Sequence, residues 1–132
     1  MNPEELRQRF ALFARDVRLF AKPFVRDPEA RDIATQLMRS ATSVASNHRA
    51  AGRGRSHAEF TAKIGVAPEE ADEAEFCLQH LRDCGFVSAK TVGPLLQEAG
   101  EIVAMLSASC STARSNRNRR PRRHPRDGPI HE

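Results

Sequence analysis

The chain has 132 residues, 39% hydrophobic and 29% charged, a balance that suits one modest globular core and excludes a disordered or membrane-dissolved chain. At this size about two-thirds of the unfolded surface can be buried, enough for a stable fold without disulfide or metal staples. The formal charge of +4 is unevenly laid out: residues 1–113 carry 14 basic and 15 acidic residues, and residues 114–132 carry seven Arg against Asp127 and Glu132.

Leu6, Phe10, Phe13, Val17, Phe20 and Phe24 recur at spacings of 4, 3, 4, 3, 4, the seam of a first packed helix opened by Pro3 and closed by Pro23. Arg7, Arg15, Arg18 and Lys22 fall nearly opposite that seam as a solvent-facing stripe. Asp27-Pro28-Glu29 reads as a helix start, with Asp capping, Pro in the first turn and Glu complementing the dipole. The second helix is therefore expected over 28–50. Its seam is Ile33, Leu37, Ala41 and Val44, and beside it Ser40, Ser43 and Asn47 form a small, polar face that lets a neighbouring helix approach closely.

Gly52 and Gly54 end that helix, and Ser56-x-x-Glu59 reads as a capping box for the third. Phe60, Ile64, Ala67, Ala71, Ala74, Leu78 and Leu81 carry the third helix to Gly85, with a kink expected near residues 65–68 because Pro68 removes a hydrogen bond and clashes with the preceding turn. Glu69, Glu70, Asp72, Glu73 and Glu75 make its downstream half an acidic block. Val92, Leu95, Leu96, Ala99, Ile102, Val103, Leu106 and Cys110 define a fourth helix opened at residues 88–91. With no strand-like alternation, the pattern predicts an all-α, antiparallel up-down four-helix bundle over residues 1–113 and a disordered Arg-rich tail over 114–132.

Cys77, Cys84 and Cys110 are an odd set, and residues 1–8 are polar and charged without the apolar run of a secretory signal, so reduced thiols in the cytoplasm are expected. The apolar runs are a few residues long, far below the roughly 20 that span a bilayer.

The stretch Arg39-Ser40-Ala41-Thr42-Ser43-Val44-Ala45-Ser46-Asn47, then Gly52-Arg53-Gly54-Arg55-Ser56, Glu59-Phe60, and Glu73-x-Glu75 before Gly85-Phe86, resembles a bacterial four-helix-bundle family. That family includes proteins encoded in intervening sequences of 23S rRNA genes and the accessory variability protein of diversity-generating retroelements. The likeness covers roughly residues 5–112. It implies a ring-forming homopentamer of up-down bundles whose positive surface binds nucleic acid and, in retroelement members, a partner reverse transcriptase; it implies no catalytic residue. Two positions depart from the family pattern: Ala51, where many members carry an acid, and His80, where several carry an apolar residue.

Two sets of arginines carry the functional reading. In the tail, Arg114, Arg117, Arg119, Arg120, Arg122, Arg123 and Arg126 attract phosphate without sequence selectivity, unless the segment merely solubilises. At the corner after the second helix, Arg49, Arg53 and Arg55 lie in a stretch free of acids between Asp32 and Glu59, with His48 and His57 nearby; the alternative is a solvated loop. The first-helix stripe is either a solvated face or a basic surface that meets the acidic third helix of another subunit.

Cys77, His80 and Cys84 share a helical face but lack a fourth ligand, so core packing is preferred to zinc. Glu73 and Glu75 point about 200° apart on a helix and cannot act together on one substrate; separate ion pairs with arginines are expected, one inside the bundle and one across a subunit contact. No nucleophile elbow or P-loop is present. The expected function is a non-catalytic, cofactor-free, nucleic-acid-binding bundle, with a structural or protein-interaction module as the alternative.

Overall fold

A computed structural model describes residues 1–53, 58 and 65–119. Helix α1 spans Pro3–Ala21 and begins in a capping box: Asn2 Oδ1 accepts from the Glu5 amide at 2.8 Å, and Glu5 Oε1 accepts from the Asn2 amide at 2.9 Å. Pro3 occupies the first turn, where its missing N–H costs nothing. The helix tightens into a 3-10 segment, Lys22–Arg26, at Pro23.

Helix α2 runs Arg31–Gly52, starting later than the expected 28. The Asp27 side chain accepts from the Glu29 amide at 2.9 Å, and its carbonyl accepts from the Ala30 and Arg31 amides at 3.0 and 2.9 Å. Asp27 thus closes a local turn, and the capping signal read at this position serves that turn rather than the helix.

Helix α3 is Ala67–Asp83. Gly65 and Val66 form a turn where the kink near residues 65–68 is expected, and Pro68 lies in the first turn of α3. The expected upstream half, from Ser56 through Ile64, falls outside the described residues apart from a helical residue 58. At its end, Gly85 takes φ +84°; its amide reaches the Arg82 carbonyl at 3.0 Å and the Phe86 amide reaches the Leu81 carbonyl at 3.0 Å. These two bonds make a Schellman cap, which needs a residue free to adopt the left-handed region.

Helix α4 spans Ala89–Arg119 and opens where Ser88 Oγ accepts from the Thr91 amide at 3.1 Å. It passes the expected bundle boundary: the tail, read as disordered from Arg114, is helical through Arg119. Residues 120–132 lie outside the described residues.

Each helix packs against its neighbours in chain order, and α4 closes the circuit on α1, the least close of these approaches; α1 and α3, like α2 and α4, sit on diagonals, with no close backbone approach among the described residues. The described residues form four long helices without a strand, an up-down bundle. Phe10, Phe13 and Val17 of α1, Leu37, Ala41 and Val44 of α2, Ala71, Ala74, Leu78 and Leu81 of α3, and Val92, Ala99, Ile102 and Leu106 of α4 share the core. Of the expected second-helix seam, Leu37, Ala41 and Val44 are buried, and only at its start does Ala34 take the buried position while Ile33 is partly buried.

Candidate nucleic-acid interface

The N-terminal half of α1 packs against the C-terminal half of α2, which brings Arg7 across to the end where Arg49 and Arg53 emerge. Between them lies an open groove of about 640 Å³ lined by Glu4, Arg7, Gln8, Thr42, Ser46, Arg49 and Arg53, among others. A Cβ placed on Gly52 would sit 3.8 Å from Arg7 Nη1, so this guanidinium lies over the last turn of α2.

Arg49 and Arg53 complement the negative end of the α2 dipole, and both are exposed. Within the lining, Glu4 is the acid: it accepts from Arg7 Nε at 3.1 Å and from Arg7 Nη2. Those bonds hold its carboxyl below the usual carboxylate range. The groove therefore keeps a surplus of two positive charges and offers the hydroxyls of Thr42 and Ser46 beside them. Guanidinium groups stay charged at any relevant pH and do not transfer protons, so the arrangement suits anion binding rather than acid-base chemistry.

The corner residues separate. Arg49 and Arg53 reach the groove, whereas Arg55 and His57 lie outside the described residues. His48 turns inward: its ring meets Phe10 edge-on with centroids 4.7 Å apart, and its Nδ1 is buried without a hydrogen-bond partner. Burial first and the charge of Arg7 second push its pKa down, so it is held neutral. In the sequence Arg7 is one of a charged stripe, read as a solvated face or as a surface for another subunit's acidic third helix. The signal that it belongs to a site is a relation between helices, which spacing within one helix does not contain.

The rest of that stripe divides. Arg18 folds back on α2, donating to Thr42 Oγ1 at 3.2 Å and resting 3.8 Å from Met38 Sδ, and Arg15 pairs with its neighbour Asp16 at 2.9 Å. Lys22 and Arg18 join Arg26 around a second groove of about 450 Å³, with Leu19, Val25 and Met38 as its apolar lining. Of the tail arginines, Arg114, Arg117 and Arg119 fall on α4; Arg120, Arg122, Arg123 and Arg126 lie outside the described residues.

Ser40 is buried at the α2–α3 interface, and Gln36, Ser40, Ser43 and Asn47 form one row along α2 at helical spacing. Ser40 Oγ and Gln36 Nε2 both donate to Glu73, each at 2.5 Å. These bonds, Ser40 first, with a smaller attraction from Arg39, hold the Glu73 carboxyl low against the opposing effect of burial. Glu73 is thus anchored by hydroxyl and amide donors where the sequence reading expected an arginine. Glu75 turns toward α4, where a Cβ on Gly100 would come within 3.1 Å of its Oε2.

Arg9 carries no signal in the sequence pattern. It grips Glu98 with Nε and Nη2, both at 2.7 Å, and reaches Glu101 at 2.6 Å, tying α1 to α4. Among the described residues no group of three His, Cys, Asp or Glu side chains is placed to hold a metal ion. Cys77 is buried, which pushes its thiol up to about 11, whereas Cys84 is exposed with Sγ 3.5 Å from His80 Nε2. No helix among the described residues is long and apolar enough to cross a membrane.

The fold and groove define the class first: an up-down four-helix bundle with a cationic furrow between its first two helices. Residues 5–108 match the family of 23S rRNA-intervening sequence proteins, and the chain belongs to that family. A crystal structure of a Bacteroides thetaiotaomicron protein, described as of unknown function from the S23 ribosomal protein family, superimposes with a TM-score of 0.76 at 24% identity, covering 84% of this chain and 99% of that one. That likeness extends the agreement to the fold alone. No curated protein matches the chain.

Proposed function

We propose that this protein is a non-catalytic, cytoplasmic subunit of a homopentamer that holds RNA or DNA by electrostatics, beside a protein partner such as a reverse transcriptase. The observation that carries the nucleic-acid reading is the convergence of Arg7, Arg49 and Arg53 on one open groove with Glu4 as its single carboxylate. Such a furrow admits a phosphodiester backbone without reading bases, and five copies in a ring supply avidity that one shallow site lacks. The tail arginines, three of which fall within the residue range of α4, add a second set of phosphate contacts.

Fluorescence anisotropy with labelled single-stranded RNA and DNA, titrated in salt, tests the reading. Arg49→Glu with Arg53→Glu is expected to weaken binding of both strands, and a chain ending at Ala113 to make the log-log salt slope shallower by about 4 if five phosphates are released. Unchanged affinity in the groove variant overturns the groove as the site. Unchanged affinity in both overturns nucleic-acid binding through these arginines and leaves the second reading, a protein-interaction module. That alternative is favoured by the acid excess of residues 1–113 and the exposed Phe76 amid carboxylates.

A further inference from the structure

The outermost face of α1, opposite its buried seam, holds Leu12, Arg15, Leu19 and Lys22 within an arc of about 80° at 100° per residue. Leu12 and Leu19 are 49% and 63% exposed, a second apolar row on a helix that already has one in the core. At its C-terminal end the row opens into the groove of about 450 Å³, whose apolar lining is Leu19, Val25 and Met38 and whose charged lining is Arg18, Lys22 and Arg26, with no carboxylate among its lining residues.

The outermost face of α3 is its counterpart in charge. Glu69, Asp72, Phe76 and Asp83 fall within about 60° of one another, opposite the buried residues of that helix, and all four are exposed. Phe76 is 55% exposed and is kept upright by stacking on His80, centroids 5.5 Å apart and planes inclined by 16°. Asp83 is partly compensated by Arg82 Nε at 2.9 Å, so Glu69 and Asp72 supply most of the free negative charge.

These two faces lie on diagonal helices and so look away from each other across the bundle. One molecule therefore carries a cation-rimmed apolar hollow on one side and an acid-ringed aromatic knob on the other. We infer that the occupant of the hollow is Phe76 of a second copy of this chain, seated on Leu19, Val25 and Met38 with Glu69 and Asp72 against Lys22, Arg18 and Arg26. The contact is head-to-tail. It joins different surfaces of successive subunits and so closes into a ring or runs on as a filament; it does not stop at a symmetric dimer. The apolar centre supplies the association, and the charged rims set which faces meet and in what orientation. This inference rests on the proposed self-assembly and assigns its interface.

Sedimentation velocity on Leu19→Glu and Phe76→Ser variants tests it. Both residues are exposed, so each variant should keep the helical content and melting temperature of the unmodified protein, which circular dichroism checks. Each alone is expected to sediment as a monomer. A mixture of the two is expected to contain dimers and nothing larger, because each variant retains the face the other has lost. Either variant assembling like the unmodified protein, or a mixture that stays wholly monomeric, overturns the assigned interface while an unmodified pentamer still stands. Should the Leu19→Glu variant lose affinity for single-stranded RNA and keep its assembly, the hollow is a nucleic-acid contact and the inference fails. An unmodified protein that is monomeric overturns the assembly itself.

Discussion

Ser40 on α2 is joined to Glu73 on α3 by a 2.5 Å hydrogen bond from its hydroxyl, inside an interface where Ser40 is only 1% exposed. A buried hydroxyl needs a partner, and a carboxylate is a strong one. Gln36 supplies a second donor one turn earlier, so both oxygens of Glu73 are engaged and the register of α3 along α2 is fixed by a polar contact rather than by apolar packing alone.

Removing either end should therefore destabilise the bundle, and in a pH-dependent way. Glu73→Gln keeps the shape but sets an amide donor against donors, and Ser40→Ala removes one of the two; a hydrogen bond to a charged group contributes about 1.5–3 kcal/mol, and the partial exposure of Glu73 favours the lower end. The carboxyl is held low in the folded state, so its contribution is complete above the unfolded glutamate pKa and is lost as pH falls through the folded value. Urea denaturation at pH 7 and on the acid side checks this: the difference between wild type and Glu73→Gln should shrink toward acid. A difference that is independent of pH would contradict the assignment.

The bundle and most of its seams are legible in the sequence because helical burial repeats every 3 to 4 residues. Phe10, Phe13, Val17, Leu37, Leu78, Leu81 and Ile102 are core residues for that reason. What is hidden depends on the register between helices. Ser40 looks like a small spacer until α3 places a carboxylate opposite it. Arg9 stands at the edge of the α1 seam, and its acids, Glu98 and Glu101, lie at i and i+3 on a helix some ninety positions away in sequence. Arg7 is a member of a charged stripe until the end of α2 arrives beside it.

Arg9 should matter more than an ordinary surface cation, because it links the two neighbouring helices that approach each other least closely in the bundle. Its side chain is 23% exposed and that of Glu98 is 30%, and the fork geometry places two N–H groups on one carboxylate. The two acids raise the pKa of the guanidinium above its already high ordinary value, Glu98 chiefly. Arg9→Met is expected to cost about 1–2 kcal/mol in thermal or urea unfolding, more than an exposed pair contributes and less than a fully buried one. Arg9→Lys should recover less than half of that loss, since an ammonium does not reproduce the planar fork. Equal stability of Arg9→Lys and wild type would show that only charge is used.

The two described thiols should differ sharply toward alkylating reagents. Only the thiolate attacks, and a pKa of about 11 leaves Cys77 with roughly one thiolate in ten thousand at pH 7, inside a core that excludes reagent. Burial is the larger cause and the charge of Glu73 the smaller. Cys84 is exposed beside His80. Brief treatment with iodoacetamide at neutral pH, followed by peptide mapping, should show modification at Cys84 and none at Cys77 until denaturant is added. Modification of Cys77 in the native protein would mean that α3 opens locally far more often than its buried seam allows.

Glu4 limits the cationic groove, and its removal gives a prediction in the opposite direction from the arginine substitutions. The carboxylate occupies Arg7 through two donors, so a phosphate approaching this guanidinium must displace it or share it. Glu4→Gln abolishes the competing charge and leaves Asn2 and Glu5 to cap α1 as before. One additional phosphate contact then becomes available, and the log-log salt dependence of RNA binding should steepen by about 0.7 to 0.9. Affinity should rise at low salt and converge with wild type as salt increases, because an added ion contact is screened like the others. The same substitution in an Arg7→Ala background should have no such effect, since the freed guanidinium is then absent. If Glu4→Gln leaves both slope and affinity unchanged while Arg49→Glu lowers them, Arg7 lies beside the bound strand without touching it, and the groove binds through the α2 arginines alone.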